Sequence, residues 1–297
     1  MRTIAERYRI TSPIGRGGMG EVWEGIDLRL NRPVAIKLIN SADLASAKDA
    51  RRRFNREARI TARLRHPGVP VVFDFGDDGD LYMIMESLSG DSVGKLKDEQ
   101  GSLPVPWAAF ICAQVCAVLA AAHGADLLHR DVKPENLVLC RDGAVKVIDF
   151  GVATSPGANE FSRITQTGES PGSARYMAPE LVEGAGASRA SDLYTVGCVL
   201  YELLTGSRPF ESRDLMTEIT RGLKEDPPAM EKVPGELEKL TLQLLAKDPG
   251  RRPDNAVSVY RSLRPWAHDL PPLPGWVAHD LSNDPVHMYS AVLASLG

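Results

Sequence analysis

The chain has 297 residues, 43% hydrophobic, 25% charged and 6% aromatic. These fractions exclude disordered and fibrous classes and leave room for one large domain or two lobes with ample buried core. The formal net charge of −4 argues against dedicated nucleic-acid binding, although the run "ARRRFNREARITARLRH" is locally basic.

Up to about Glu86 the chain reads as strands broken by turns, with one helix. "YRITSPIG", "EVWEGIDL", "PVAIKLIN" and "LYMIME" place apolar residues in short alternating or clustered runs. "SAKDARRRFNREARITARLR" has helical spacing, and His66-Pro67-Gly68 ends it. Within this part, Gly15, Gly17 and Gly20 have G-x-G-x-x-G spacing. Glycines let a backbone lie close over phosphates and offer N–H groups to them. A dinucleotide fingerprint with the same spacing should open a helix, whereas here a strand-like "EVWEGIDL" follows, so a hairpin is expected. "VAIK" puts Lys37 at the end of an apolar strand. It is either a snorkelling surface lysine or a buried one needing an anion or a carboxylate, for which Glu57 is the natural partner.

After "SLSG" the pattern becomes helical, and the join falls near "MESLSGD". "PWAAFICAQVCAVLAAAHGADLL" predicts a long Ala-rich helix. "SDLYTVGCVLYELLTG" predicts a second, with Ser191 as N-cap and Gly206 as stop, and "GELEKLTLQLLAKDP" a third. Between the first two lies "LLHRDVKPENLVL", a polar loop held between apolar flanks. "KVIDFGVA" sets Asp149 at a strand end beside Phe-Gly. That aspartate suits either a plain turn or a hard cation such as Mg²⁺. Cys112, Cys116, Cys140 and Cys198 read as small buried apolar residues, with neither metal-ligand clustering nor a disulfide framework. They imply a reducing, cytoplasmic setting. The start "MRTIAERYRI" has no apolar signal core. No apolar run is expected to reach the ~18–20 residues of a membrane span.

Taken in order, Gly15-Arg16-Gly17-Gly18-Met19-Gly20-Glu21-Val22, Val34-Ala35-Ile36-Lys37, His129-Arg130-Asp131 through Asn136, Asp149-Phe150-Gly151 and Ala178-Pro179-Glu180 resemble the protein-kinase signature set. The resemblance covers about Tyr8 to Leu263. The wording of "RYRITSPIGRGGMGEVWEG" and "TQTGESPGSARYMAPE" is similar to bacterial eukaryotic-like (Hanks-type) Ser/Thr kinases. It implies an α+β, bilobal kinase fold over 8–264, with a small antiparallel-sheet lobe at about 8–86 and a larger, mostly helical lobe at about 90–264. Residues 265–297 form an extension of unknown role. Its proline cluster and two tryptophans suit either a docking or self-regulatory segment, or a tail packed on the large lobe through Trp266 and Trp276.

By that resemblance, Gly15, Gly17 and Gly20 cover the phosphates of ATP, and Lys37 contacts them while pairing with Glu57. Asp131 accepts or orients the proton of the substrate hydroxyl, and Lys133 reaches the transferring phosphoryl. Asn136 and Asp149 hold Mg²⁺, with Mn²⁺ as the alternative ion. Ile14, Val22, Ala35, Met85, Glu86, Leu88 and Val138 surround the nucleotide, Met85 as gatekeeper and Glu86 to Leu88 as hinge. Asp192 braces the catalytic loop, and Glu180 with Arg252 forms a buried ion pair. Thr165 and Thr167 match autophosphorylation positions, and Arg130 is the arginine of kinases switched in this way.

Three departures stand out. Thr154 replaces a common basic residue, which weakens the phosphate pocket or leaves it to Arg53 or Arg56. Ser173 stands in for the usual threonine and keeps its hydroxyl. Thr61 occupies a position that is more often apolar. The expected activity is transfer of the γ-phosphoryl of Mg-ATP to Ser/Thr hydroxyls of protein substrates. No nucleic-acid partner and no membrane span are expected, and the resemblance adds self-association through the small lobe. A nucleotide-binding pseudokinase or regulatory scaffold is the alternative, and a small-molecule kinase a third reading.

Overall fold

A computed structural model describes residues 2–17, 20–39, 54–55, 58–150, 171–274, 276 and 284–294. The chain divides into two compact units. The first comprises Met1–Arg65 and Val69–Ser89, and the second His66–Gly68 and Gly90–Gly297.

The first unit is built on an antiparallel six-stranded sheet. Its strands are β1 (Thr3–Ile4), β2 (Tyr8–Gly17), β3 (Gly20–Asp27), β4 (Arg32–Ile39), β5 (Val72–Asp78) and β6 (Asp80–Glu86), in the order β1-β2-β3-β4-β6-β5. Period-two alternation sorts the side chains. Val34, Ile36 and Leu38 of β4 join Tyr82 and Ile84 of β6 in one buried cluster with Ile4 and Tyr8. Leu81 and Met83 point the other way and pack with Ile39, Phe54 and Ala58. Phe54 and Ala58 lie on the helical residues 54–55 and 58–63, so that helix seals the second face of the sheet.

The glycine-rich stretch is a strand hairpin, since Gly15 faces Val22 and Gly17 faces Gly20. Gly20 has φ of 137°, and a Cβ there would lie 2.0 Å from Leu38 O, so only glycine fits this close crossing. Strands β1 and β5 do not emerge from the sequence pattern. In β5, "VFDFGDD" carries Asp and Gly, which are poor strand formers, and its Phe73 and Phe75 are exposed. It forms because it occupies the sheet edge beside β6.

The second unit has a small antiparallel sheet of β7 (Gly90–Ser92), β8 (Leu137–Cys140) and β9 (Val145–Val147). Among the described residues its helices of eight or more residues are α1 (Val93–Gln100), α2 (Val105–Gly124), α5 (Arg189–Thr205), α6 (Leu215–Lys224), α7 (Gly235–Leu244), α8 (Ala256–Leu263) and α9 (Pro285–Ala294), with α3 (Pro171–Ala174) and α4 (Pro179–Val182) as single turns. Helix α2 is apolar on all sides and almost entirely buried, as a helix at the centre of a core must be. This corrects the expectation that no apolar run reaches spanning length. By length and composition α2 could cross a membrane, but 89% of its most apolar stretch is buried within the protein. Gln114, one of its buried polar residues, donates to Gly143 O at 3.1 Å and accepts from Val145 N at 2.8 Å, tying the β8–β9 turn to the core.

The N-cap of helix α5 lies three residues before the expected one. Ser188 is the N-cap, and it shares a reciprocal capping box with Ser191 at the third helical position. A serine three residues inside the helix returns the bond that Glu or Gln usually makes, which is why Ser191 resembles a cap in sequence. Gly206 ends the helix with φ of 85°. All four cysteines are buried thiols, and burial pushes those of Cys112, Cys116 and Cys198 up.

The C-terminal residues belong to the second unit. Trp276 meets Trp107 edge-on with ring centroids 5.0 Å apart, and Trp107 Nε1 donates to Pro271 O at 2.7 Å. Trp266 closes a short turn, Arg264–Trp266, and is half-buried. Helix α9 packs on α2, where Tyr289 meets the ring of His66 with centroids 4.9 Å apart.

His66 is 6% exposed, and burial, with Lys146 adding to it, lowers its pKa from 6.5 to about 4. Between those values the unfolded chain binds a proton that the folded chain refuses. Folding stability should therefore be level above pH 6.5 and fall as the pH drops from 6.5 toward 4, by up to about 3 kcal/mol from this group. Urea unfolding at stepped pH checks this. His66→Gln, which keeps an acceptor for the Gly68 N–H, should show a shallower slope in that window.

Candidate active site

In the second unit the polar loop after α2 is fixed from beneath by α5. Asp192 lies in the first turn of α5 and is 1% exposed. Its carboxylate accepts from the backbone N–H of His129 at 3.0 Å and of Arg130 at 2.8 Å, and from His123 Nε2 at 2.8 Å. Arg130 has φ of 69°, a costly conformation for a residue with a side chain, and the Asp192 bonds hold it there.

His129 is fully buried, and its pKa is lowered by that burial. Its tautomer follows from its partners. Nε2 lies 3.1 Å from Ile148 O, which can only accept, so Nε2 carries the hydrogen. Nδ1 accepts from Asp131 N at 3.2 Å. A neutral imidazole thus joins the loop to the 148–150 stretch, and its ring packs against Phe150 with centroids 4.6 Å apart. Ile148 N–H donates to Asn136 O at 2.9 Å, which holds the two segments side by side.

This frame brings Asp131, Lys133, Asn136 and Ser173 together. Lys133 Nζ donates to Asp131 Oδ2 at 2.8 Å and to Ser173 Oγ at 2.6 Å. Asn136 Nδ2 donates to Asp131 O at 2.8 Å and to Asp131 Oδ2 at 2.9 Å. Asp131 Oδ2 is therefore held by two donors, and no donor among the described residues takes Oδ1. Asn136 spends its amide hydrogens on Asp131, so its side-chain oxygen is turned to other use. Asp149, just past β9, is exposed with φ of 55°. An amide oxygen and a carboxylate are hard donors that fit Mg²⁺ or a similar cation. Val138 lies half-buried on β8, opposite Ser92.

Arg252 is 4% exposed and uses all five of its N–H donors. Two go to the Glu180 carboxylate, at 2.7 and 2.8 Å. The others go to Ala246 O, Ala190 O and Lys247 O. This fork binds α4 to the start of α5 and to the loop after α7.

In the first unit Lys37 is buried on β4, opposite Val22 of β3 and Met83 of β6. The snorkelling alternative therefore does not apply. Ala35 shares its face by alternation and stands opposite Met85. Glu86 ends β6, where Val71 N–H donates to its carboxylate at 3.2 Å. Ile14 is exposed and Leu88 half-buried, and Thr61 is a half-buried helical residue. Glu57, Arg53, Arg56, Thr154, Thr165 and Thr167 lie outside the described residues.

Several working residues escape sequence reasoning. His123, which donates to Asp192, sits among alanines and reads as the helix end. Glu202 on α5 is 1% exposed. It accepts from the Tyr176 hydroxyl at 2.6 Å and pairs with Lys97 of α1 at 3.2 Å, and burial raises its pKa. A single carboxylate within the apolar "CVLYELL" was the available signal, because such a group must find partners. Glu218 of α6 likewise gathers Arg175 and Arg208.

Residues 8–262 match the family described as the protein kinase domain. The chain is 39% identical over 272 residues to the serine/threonine-protein kinase PknA of Mycobacterium tuberculosis, spanning 89% of this chain and 61% of that protein. It is 40% identical over 229 residues to a probable serine/threonine-protein kinase PknB of Corynebacterium glutamicum, spanning 75% of this chain and 35% of that protein. It is 36% identical over 268 residues to serine/threonine-protein kinase pkn3 of Myxococcus xanthus, spanning 86% and 49%. The chain belongs to the protein kinase family, as a Hanks-type domain like those of bacterial Ser/Thr kinases. It spans about three-fifths or less of the length of these relatives.

Replacing Arg252 by alanine would strand the Glu180 carboxylate and several carbonyls. Unfolding free energy should fall by about 3–5 kcal/mol in urea titrations. Arg252→Lys should recover little of it, because an ammonium cannot make the bidentate fork.

Proposed function

We propose that this chain is an ATP-dependent protein kinase that transfers the γ-phosphoryl group to Ser and Thr hydroxyls of protein substrates. The observation that carries the reading is the cluster of Asp131, Lys133, Asn136 and Ser173, in which one carboxylate oxygen is fixed by two donors. In the reaction the substrate hydroxyl oxygen bonds to the γ-phosphorus, the bond to the β–γ bridging oxygen breaks, and ADP leaves. Asp131 orients the hydroxyl and takes its proton. Lys133 neutralises charge on the phosphoryl group in transfer. Little covalent chemistry is asked of the protein, so positioning and charge carry the rate.

The rest of the site follows the same division of labour. Asn136 and Asp149 would hold Mg²⁺, which screens the phosphate charge when bound. Lys37 contacts the α- and β-phosphates with Glu57 as its partner, and the hairpin at Gly15, Gly17 and Gly20 offers backbone N–H groups. Ile14, Val22, Ala35, Met85, Glu86, Leu88 and Val138 take the nucleoside. Ser173, bound to Lys133, suits a hydroxyl-bearing acceptor nearby. Thr165 and Thr167 are the proposed autophosphorylation sites, with Arg130 receiving the phosphate. The buried thiols support a reducing, cytoplasmic setting. The exposed Leu30, Val71, Phe73 and Phe75 support self-association through the first unit, which sedimentation of the purified chain would test.

Incubation of the purified chain with labelled Mg-ATP and a generic basic protein tests the reading. Lys37→Met and Asp131→Asn should each lower transfer by at least about a hundredfold with circular dichroism unchanged. Near-wild-type rates in either would refute its role. Mass spectrometry of the same reaction should find phosphate on Thr165 and Thr167. A chain that binds nucleotide but transfers nothing would be the pseudokinase instead.

A further inference from the structure

Glu202 lies on α5 with its side chain 2% exposed, and each of its oxygens meets a different part of the second unit. Oε2 accepts from the Tyr176 hydroxyl at 2.6 Å. Oε1 lies 3.2 Å from Nζ of Lys97 on α1. Tyr176 in turn is tied to Ser173, because its backbone N–H donates to Ser173 O at 3.2 Å. Ser173 Oγ accepts from Lys133 Nζ at 2.6 Å, and the same ammonium donates to Asp131. A continuous run of polar contacts therefore leads from Lys97 through Glu202, Tyr176 and Ser173 to Lys133 and Asp131.

Helix α1 presents Lys97 from a fixed place. Ser92 caps its start, and a Cβ on Gly94 would lie 3.4 Å from Glu135 Cγ in the polar loop. Just past its end Leu103 N–H donates to Leu203 O at 2.7 Å, beside Glu202. Lys97 also meets Asp98 at 2.8 Å, but Asp98 is largely exposed and water can replace that pairing at little cost. Glu202 has no such recourse. Burial pushes its carboxyl up, against the Tyr176 hydrogen bond and the Lys97 and Arg208 charges that pull it down. Arg208 spends its guanidinium on Glu218 and Glu211, so among the described residues Lys97 is the cation in contact with Glu202. A buried carboxylate stripped of its cation stays charged at high cost or takes a proton. As a neutral acid it holds the Tyr176 hydroxyl roughly half as strongly.

We infer that Lys97 is a positioning residue for the protein acceptor. As the countercharge to Glu202 it seats Tyr176, and through Tyr176 it sets Ser173 beside Lys133 and Asp131, where the acceptor hydroxyl must arrive. Its role runs through Glu202 and not through contact with the acceptor. The inference rests on the phosphotransfer reading above and adds to it a residue of α1.

The test uses the full chain carrying Lys97→Met, Lys97→Arg, Glu202→Gln, or Lys97→Met together with Glu202→Gln. Should Lys97→Met not fold, Lys97→Gln, which keeps a donor, takes its place. Steady-state kinetics with Mg-ATP and the generic basic protein are run well below the melting temperature, and hydrogen exchange is followed over 172–178 and α2. Lys97→Met should raise KM for the acceptor at least about tenfold, with little change in KM for ATP. The rise should steepen as the pH falls, because a carboxyl without its countercharge binds a proton at higher pH, whereas Tyr176 and Arg208, the other groups facing it, are unchanged. Exchange over 172–178 should quicken while α2 stays protected, and Lys97→Arg should restore most of both. Glu202→Gln leaves Tyr176 an oxygen and strands no charge, so the double variant should lose less than Lys97→Met alone. A lowered melting temperature with unchanged acceptor KM would reduce Lys97 to a structural residue and overturn the proposal, as would exchange that rises equally in both segments or losses that simply add in the double variant. A lower KM for the basic protein would overturn it too, by showing that Lys97 shields Glu202 from acceptor cations. If the wild-type chain transfers no phosphate, the kinase reading has failed, and the exchange profile still tells whether Lys97 seats the segment.

Discussion

The Asp192 carboxylate is the constraint on which the candidate site depends. Backbone N–H groups buried without a partner are costly, and two consecutive ones, at His129 and Arg130, end on this one side chain. Its placement depends in turn on where α5 begins. The Ser188 cap and the Ser191 return bond set the first turn, and a carboxylate in the first turn also meets the positive end of the helix dipole. From there the order of causes runs outward. Fixed backbone at 129–130 orients the neutral His129, His129 and Asn136 join the loop to Ile148, and Asp131 is left with one oxygen held and the other without a donor among the described residues.

A second set of buried charges secures the chain beyond Pro171. Glu202 with Tyr176 and Lys97, and Glu218 with Arg175 and Arg208, join residues 175 and 176 to α5 and α6, while Glu180 pairs with Arg252 just before α8. Apolar packing of equal volume is often as stable as a buried pair. What charged pairs add here is register: each matches one donor set to one acceptor set, so the segment carrying Ser173 has one seating on α5 and α6.

Much of this was legible in the sequence, and the rest was hidden for identifiable reasons. Strands β2, β3, β4 and β6 announce themselves because both faces of β4 and β6 are buried and strand formers fill them. Strand β5 does not, because an edge strand stands on pairing supplied by its neighbour and tolerates Asp and Gly. The cap of α5 was misplaced because Ser188 and Ser191 carry the same chemistry, and only backbone geometry tells the cap from its reciprocal partner. Asp131, Lys133 and Asn136 are neighbours in sequence and so could be read together. Ser173 and Asp192 meet that loop from 40 and 63 residues away, and His123 donates to Asp192 across 69. Such contacts depend on how helices pack, which periodicity does not encode. The apolar character of α2 shows the same limit, since composition alone cannot tell a core helix from a membrane span.

The interleaving of the two units has a consequence for how such a domain can vary. Because His66–Gly68 sits inside the second unit while its flanks belong to the first, no single break in the chain separates them. A recombination joint near Ser89 would carry a foreign tripeptide into a socket formed by Val118, Val147 and Tyr289. Side chains far apart along the chain must therefore change in concert with that tripeptide. The C-terminal helix is thus bound to the history of the amino-terminal sheet, although more than 200 residues of sequence lie between Gly68 and Tyr289.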